Sequence, residues 1–298
     1  MQQDKNTKID IKKDALDIVF QNEDFAIINK KRGMASAPLK KGDDSLLTLF
    51  LQHNLLKEKV CGKKEIEEGL LHRLDTPTSG LILIAKNQNI YDILTSMQDK
   101  DMIEKEYLAI CNVVPNQAFH QPQISYQTSY CQFNIISSFL PYGRRGARVK
   151  MHFPYNKPKN GHIKNNHTNK KEFKTYKTHV LIKEEEGAEI AKKLFGLKQN
   201  KKDKTDTKEL ENICCHCTLT RGYRHQVRCH LASIGLPIKG DGLYNSIYIE
   251  ENKKDIEKLS SSHNYPLHLY ATRISFPSPY NSDCELSFSL LPLNKKNL

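Results

Sequence analysis

At 298 residues the chain is long enough for one large domain or two of medium size, with a substantial core. Its 46 lysines and arginines outnumber its 34 acidic residues, and the formal net charge is +12. Such an excess suits a polyanionic partner, because basic side chains bind phosphates and release counterions, although a lysine-rich protein that is merely soluble would show it too.

The order of residues excludes several classes of protein. The start of the chain is polar and has no apolar segment typical of a signal peptide, and no apolar run is long enough to span a bilayer. We therefore expect a cytoplasmic protein whose eight cysteines are reduced. The Cys-Cys-His-Cys run at 214–217 is a poor zinc site, because adjacent cysteines cannot easily bind one ion and no second pair lies at zinc spacing.

The first predicted element after a polar, disordered segment at residues 1–14 is a β-hairpin. Its strands are the apolar stretches at 16–20 and 25–29, which flank a turn-forming Gln-Asn-Glu-Asp sequence. Ser45 then precedes apolar residues at helical spacing over 46–55, as an N-cap precedes an amphipathic helix.

A polar nonapeptide at residues 72–80, His-Arg-Leu-Asp-Thr-Pro-Thr-Ser-Gly, comes directly before an apolar run at 81–86 that predicts a buried strand. The carboxylate of Asp75 can have either of two roles. It can cap a turn, since a short acceptor side chain binds nearby backbone N–H groups, or it can take part in catalysis. The residue types alone favour the turn.

Later elements follow from apolar periodicity and from turn-forming residues. Helices are predicted after Asn87 or Asn89 and over residues 224–234; strands are predicted from Lys105, over 173–182 and 213–219, and twice near the end of the chain, through Phe276 and over 286–291. Residues 141–150 form a basic, glycine-containing loop, and two polar insertions lie near 155–171 and 184–210.

Residues 72–86 resemble the signature of the RluA-type pseudouridine synthases, which is His-Arg-Leu-Asp, two variable residues, Thr-Ser-Gly-Leu and an apolar run ending in Ala-Lys. Residues 105–109 fit the family's Lys-x-Tyr-x-Ala pattern. Residues 221–244 are similar to its Thr-Gly-Arg-Thr-His-Gln-Ile-Arg-x-His-Leu-Ala and Gly-x-Pro-Ile-x-Gly-Asp-x-x-Tyr patterns. The resemblance extends over about 16–292, apart from the insertions.

The resemblance implies an α+β fold, with a long, mixed and largely antiparallel sheet flanked by helices and loops. The catalytic domain would occupy residues 15–298, without the S4-type RNA-binding module that many members carry before it. In this family the aspartate is the essential catalytic residue, which points to Asp75. The tyrosine, Tyr107 here, lies near the target base as a candidate general base, and the arginine, Arg228 here, pairs with the aspartate.

Pseudouridylation isomerises a uridine and consumes no second reactant, so the resemblance implies neither a cofactor nor a metal. The partner would be structured RNA, ribosomal or transfer, and a monomer is the simplest expectation. Candidates for RNA contact are polar side chains near the motifs: Lys30, His72, Arg73, Arg144, Arg148, Arg224 and His225. One departure concerns Tyr223, which stands where the family has Arg, so RNA contacts at this turn are expected to differ.

Two other functions fit part of the sequence. An RNA-binding protein on the same fold could have lost catalysis, although Asp75, Tyr107 and Arg228 are all present. A hydrolase of glycosidic bonds would need a second positioned carboxyl group beside Asp75. Asp241 is interpreted as a turn residue, so the sequence offers no convincing partner of that kind.

Overall fold

The computed structural model describes residues 16–40, 42–53, 55–56, 58–112, 130–143, 146–152, 173–183, 212–246 and 267–291. The predicted terminal segment 1–14, both polar insertions and Arg144 lie outside these ranges. None of the helices within them is long and apolar enough to cross a membrane.

One ten-stranded sheet organises the described residues, in the order β1-β2-β3-β9-β4-β8-β7-β5-β6, with β10 paired to β9. The strands are β1 Ile18–Gln21, β2 Phe25–Lys30, β3 Ser79–Ala85, β4 Glu104–Asn112, β5 Tyr130–Tyr142, β6 Arg148–His152, β7 Tyr176–Lys183, β8 Asn212–Leu219, β9 Leu269–Pro277 and β10 Glu285–Ser289. β3 and β9 are parallel, and the other pairs are antiparallel. The predicted α+β fold with a mixed, largely antiparallel sheet is confirmed.

Three α-helices lie among the described residues, α1 Leu46–Gln52, α2 Gln88–Asp99 and α3 Gln226–Ser233. The first two begin where the sequence predicts. The Ser45 hydroxyl accepts from the Thr48 N–H, and the Asn87 side chain accepts from the Ile90 N–H, both at 3.0 Å. α3 begins two residues later than predicted, because His225 has a φ of 58° and lies outside the helical region.

The prediction of a loop over residues 141–150 is wrong at both ends. Residues 141–142 end β5 and residues 148–150 begin β6, so the loop is only the turn of a hairpin. β5 was not predicted, because its serines and amides interrupt the apolar alternation. Two of these serines, Ser137 and Ser138, are nevertheless buried, and the Ser137 hydroxyl lies 3.0 Å from His230 Nε2 on α3. A hydrogen-bonded partner thus offsets the cost of burying this polar residue.

Tyr107 of β4 lies where two apolar clusters meet. One cluster packs α3, through Val227 and Leu231, on β8. The other contains Leu74, from the loop before β3, and Ala271 of β9. Tyr107 packs against both. The packing therefore brings the loop that carries Asp75 and the helix that carries Arg228 to the same point over the centre of the sheet.

We expect Gly80→Ala to destabilise the protein by at least about 2 kcal/mol. Gly80 has a φ of 122°, and a Cβ atom there would lie 2.2 Å from the carbonyl oxygen of Ala271, its parallel partner in β9. Urea unfolding would measure the loss. Gly143→Ala is the matched control, because Gly143 also has a positive φ, 79°, but nothing within 4 Å. It should cost about 1 kcal/mol. Equal losses in the two variants would contradict the close approach of β3 and β9.

Candidate active site

Arg228 bridges two carboxylates, and this bridge is the centre of the candidate site. Asp75 lies in the loop before β3, and its backbone carbonyl accepts from the Thr78 N–H in a turn. The Arg228 Nη1 donates to Asp75 Oδ2 at 3.0 Å. The Nε and Nη2 of the same guanidinium donate to the two oxygens of Asp241, both at 2.8 Å.

Burial makes this bridge electrostatically strong. The side chain of Arg228 is 2% exposed and that of Asp241 is 0% exposed. Burial alone would lower the pKa of Arg228, but the charges and hydrogen bonds of Asp241 and then Asp75 raise it above its ordinary value. Burial alone would raise the pKa of Asp241, but Arg228 and the N–H groups of Leu243 and Tyr244 bring it below its ordinary value. Arg228 and Asp241 are therefore both charged at neutral pH.

The carboxylate of Asp75 keeps one oxygen uncommitted. Among the described residues, its hydrogen bond from Arg228 and its nearest approach to His225 Nε2, at 3.7 Å, both involve Oδ2. The side chain is 21% exposed, in contrast to its buried partner. Oδ1 is thus the oxygen of Asp75 that has no hydrogen-bond partner among the described residues.

His225 lies beside Asp75 as a neutral imidazole. Burial lowers the pKa of His225 to about 4, although the charge of Asp75 opposes the shift. Its Nδ1 is 3.0 Å from the hydroxyl of Tyr244, which accepts from the Val149 N–H at 2.9 Å. The tyrosine can therefore donate its own proton to Nδ1, which leaves the imidazole N–H on Nε2, towards Asp75.

Tyr107 faces the same site from β4, opposite Cys217 of β8 and Ala271 of β9. Burial, and then the nearby carboxylate of Asp75, raise the pKa of Tyr107 well above its ordinary value. Tyr107 is therefore a neutral phenol at physiological pH. The structure thus brings together all three residues that the sequence predicts to be catalytic.

Lys30 and His72, both predicted to contact RNA, bind the protein's own backbone. The buried ammonium of Lys30 donates to the carbonyls of Met34, Lys31 and Thr76 at 2.7, 3.1 and 3.3 Å. The Leu83 N–H donates to His72 Nε2 at 3.3 Å, and burial followed by the charge of Lys105 lowers the pKa of His72 to about 3. Both side chains support the loop of Asp75 or the strand after it, and their contact with RNA stays a prediction.

Other predicted RNA contacts lie around the site. Arg73 is half-exposed and 3.1 Å from Glu67. Arg224 is exposed, and its Nη2 donates to the carbonyls of Gly146 and, at 3.4 Å, Arg148, which connects the start of α3 to the β5–β6 turn. This contact holds β6 and Arg148 next to the helix that carries Arg228.

Tyr223, the departure from the family pattern, lies in an aromatic cluster. Its ring stacks on that of Phe139 with centroids 5.1 Å apart and an interplanar angle of 9°, and it also contacts Tyr176. A tyrosine here thus covers part of β5 and β7.

Asp241 and Tyr244 belong to the site, although the sequence did not predict a role for them there. Asp241 is a turn residue, as interpreted, because its Oδ1 accepts from the N–H groups of Leu243 and Tyr244. It is also the principal partner of Arg228, and Tyr244 is the partner of His225. The sequence feature that could have indicated both residues is the Gly-Asp-x-x-Tyr pattern at 240–244, because its aspartate and tyrosine are spaced as in a turn.

Comparisons with known proteins bear on the family to which the chain belongs. Residues 24–233, more than half of the chain, match the family model described as RNA pseudouridylate synthase. This chain belongs to that family. The resemblance to its RluA-type members, drawn from the motifs, is thereby confirmed.

Relatives are similar to this chain in sequence, and a solved structure is similar to it in fold. An uncharacterized RNA pseudouridine synthase of Bacillus subtilis is 26% identical over 277 residues, which cover 92% of this chain and 73% of that protein. A ribosomal large subunit pseudouridine synthase D of Buchnera aphidicola is 24% identical, over 89% of this chain and 66% of its own length. The human RNA pseudouridylate synthase domain containing 1 has a similar fold, with a TM-score of 0.55 at 14% identity, over 94% of this chain and 84% of that one.

The buried Lys30 predicts a specific pH dependence of stability. Burial lowers the pKa of Lys30 from 10.5 to about 7, against the opposing charge of Asp75. Between these values the unfolded chain binds more protons than the folded one, so the free energy of unfolding should rise with pH from about 7 to about 10.5. Below about 7 both states are protonated, and the contribution is constant.

Lys30→Met should remove this rise, because methionine does not titrate. The measurement is urea unfolding across this pH range, taken as wild type minus variant so that other titrating groups cancel. Lys31→Met, at an exposed neighbour, should keep the wild-type profile. If the profiles of wild type and Lys30→Met run parallel, the ammonium is not buried as described.

Proposed function

We propose that the protein isomerises uridine in structured RNA to pseudouridine, with Asp75 as the catalytic carboxylate. The observation that carries the proposal is the single hydrogen bond from buried Arg228 to Asp75 Oδ2, which leaves a partly exposed carboxylate with Oδ1 uncommitted. Family membership supports this reaction, and the resemblance points to the same aspartate.

The first step breaks the bond between N1 of uracil and C1′ of the ribose. Asp75 Oδ1 can attack C1′, so that the electron pair of the broken bond leaves with the uracil. It can instead take the C2′ proton as the same bond breaks, which gives a glycal with a double bond between C1′ and C2′. In both routes the carboxylate must be ionised, and the hydrogen bond from the guanidinium of Arg228 fixes its orientation.

The second step joins C5 of the rotated uracil to C1′, after which the C5 proton is lost. Tyr107 is the candidate acceptor. Because its pKa is raised, it is a neutral phenol, so it can take the C5 proton only if it gives up its hydroxyl proton in the same step. Asp75, a carboxylate again once the new bond forms, can receive that proton. N1 of the uracil, which left as an anion, then takes up one proton, so that the product is neutral and Asp75 is again ionised.

RNA would bind to the face that carries these residues. A uridine in a stacked helix cannot reach Asp75, so the target nucleotide would flip out, at a cost of a few kcal/mol. The net charge of +12 supplies the attraction to phosphates. Arg73, Arg148 and Arg224 are the arginines that we propose for phosphate contact among the described residues, and Arg144 is a further candidate outside them.

Ribosomal RNA and transfer RNA both remain candidate substrates. We place the enzyme in the cytoplasm, as a monomer. Seven cysteines whose side chains the structure describes are free thiols: Cys61, Cys111, Cys214, Cys215, Cys217, Cys229 and Cys284.

Asp75→Ala should abolish pseudouridine formation. The measurement is carbodiimide-dependent mapping of reverse-transcription stops on total RNA, from cells with the native gene and from cells with the variant. Stops that vanish in the variant would identify the target uridines. Identical maps, together with undiminished RNA binding by the purified protein, would overturn the proposal in favour of an RNA-binding protein that does not catalyse.

Tyr107→Phe should slow tritium release from RNA labelled at C5 of uracil by about 100-fold, because phenylalanine keeps the ring but has no oxygen to accept the proton. Tyr270→Phe is the matched control. Its hydroxyl bonds Asn29 at 3.0 Å, away from Asp75, and its loss should leave the rate unchanged. An unaltered rate in Tyr107→Phe would limit the role of Tyr107 to packing.

A further inference from the structure

The turn at residues 241–244 supports Arg228 and His225, the two side chains beside Asp75. The sequence patterns predict no function for this turn. Asp241 binds Arg228 through two hydrogen bonds, whereas Asp75 receives one hydrogen bond from the same guanidinium. Tyr244 binds His225, and its ring lies 5.4 Å from the Cζ of Arg228.

We infer that Asp241 is a positioning residue, which holds Arg228 so that the guanidinium offers one N–H to Asp75 and leaves Oδ1 free to react. The inference rests on the proposed function. Asp241 itself touches neither substrate nor reacting atoms and acts through Arg228.

The geometry of the guanidinium explains why such a residue is needed. An arginine beside a carboxylate commonly forms two parallel hydrogen bonds, one to each oxygen. If Arg228 did so with Asp75, both carboxylate oxygens would be occupied. Asp241 holds the edge formed by Nε and Nη2 and so fixes the plane and direction of the guanidinium. In this orientation Nη1 donates to Asp75 Oδ2, and no described residue donates to Oδ1.

Asp241 is held rigidly enough to impose this orientation. The N–H groups of Leu243 and Tyr244 donate to its Oδ1 at 2.8 and 3.2 Å, in addition to the two bonds from Arg228. The side chain is fully buried, so water does not compete for these bonds. The carboxylate cannot turn without the loss of several of them.

Stability alone does not account for a carboxylate at this position. A buried ion pair contributes little net stability in comparison with apolar residues of similar volume, because desolvation offsets the attraction. Asp241 instead performs a task that an apolar residue cannot perform, since it fixes the direction in which Arg228 points towards Asp75.

The test compares Asp241→Asn with Asn245→Ala, on an in vitro transcript that carries the mapped uridine. The asparagine keeps the shape and one acceptor oxygen but has no charge and presents an NH₂ group towards Arg228. Asn245 is a buried residue of the same region whose side chain donates to Asn112 and to the carbonyl of Ile238. Single-turnover rate at saturating RNA, RNA Kd and melting temperature are measured for each.

Asp241→Asn should lower the single-turnover rate by about 100-fold, as expected for a misplaced reacting group, with RNA Kd within about 3-fold of wild type. Asn245→Ala should lower the melting temperature and keep the wild-type rate. A wild-type rate in Asp241→Asn, or equal rate losses in both variants, would overturn the inference. If Asp241→Asn does not fold, Asp241→Glu, which keeps the charge and displaces the carboxylate, should show the same loss of rate with unchanged Kd.

A double-mutant cycle with Arg228→Lys tests whether Asp241 changes the reaction rate through Arg228 or independently of it. Lysine cannot bridge two carboxylates in a fixed plane, so adding Asp241→Asn to Arg228→Lys should slow the reaction by no more than about 3-fold. If the two losses multiply, Asp241 does not act through Arg228. If the wild-type protein forms no pseudouridine, the proposed function fails. If the wild type is active and Asp241→Asn is equally active, only the inference about Asp241 fails.

Discussion

The hydrogen bonds of one buried guanidinium determine how this site is built. Arg228 carries a positive charge where water does not reach, a state that would be costly without partners. Asp241 and Asp75 accept its hydrogen bonds, and burial lowers the pKa of nearby Lys30 to about 7 although the charge of Asp75 opposes this shift. The position of each of these side chains therefore depends on the others.

The surrounding fold provides rigid supports for this network. α3 packs on β8, and the loop of Asp75 is held by the Lys30 ammonium through the Thr76 carbonyl. Another bond to the same carbonyl comes from the Gly33 N–H. Loops that carry catalytic residues are usually positioned by a scaffold of this kind. Here the scaffold includes backbone hydrogen bonds as well as apolar packing.

Much of the fold was predictable from local patterns. Strands with continuous or alternating apolar residues, such as β2 and β3, and helices with a capping side chain, such as α1 and α2, follow from short-range rules. β5 did not, because its polar residues are buried against partners that are distant in the chain, such as His230 for Ser137.

The site was predictable to a similar degree. The motifs identified Asp75, Tyr107 and Arg228, because each has a fixed spacing in the family pattern. The role of Asp241 was hidden, since a turn aspartate and an ion-pair aspartate have the same sequence context. The inward orientation of Lys30 was hidden as well. A lysine is usually exposed, and only the three-dimensional arrangement of carbonyls shows that this one is enclosed.

The position of β9 in the sheet has a consequence for how the chain matures. β9 comes next to last among the strands in sequence, yet it lies between β3 and β4, which are formed from residues 79–112. During synthesis, β3 and β4 therefore lack the strand that joins them until residues 269–277 leave the ribosome. The sheet beneath Tyr107 is completed only when that strand is inserted between β3 and β4.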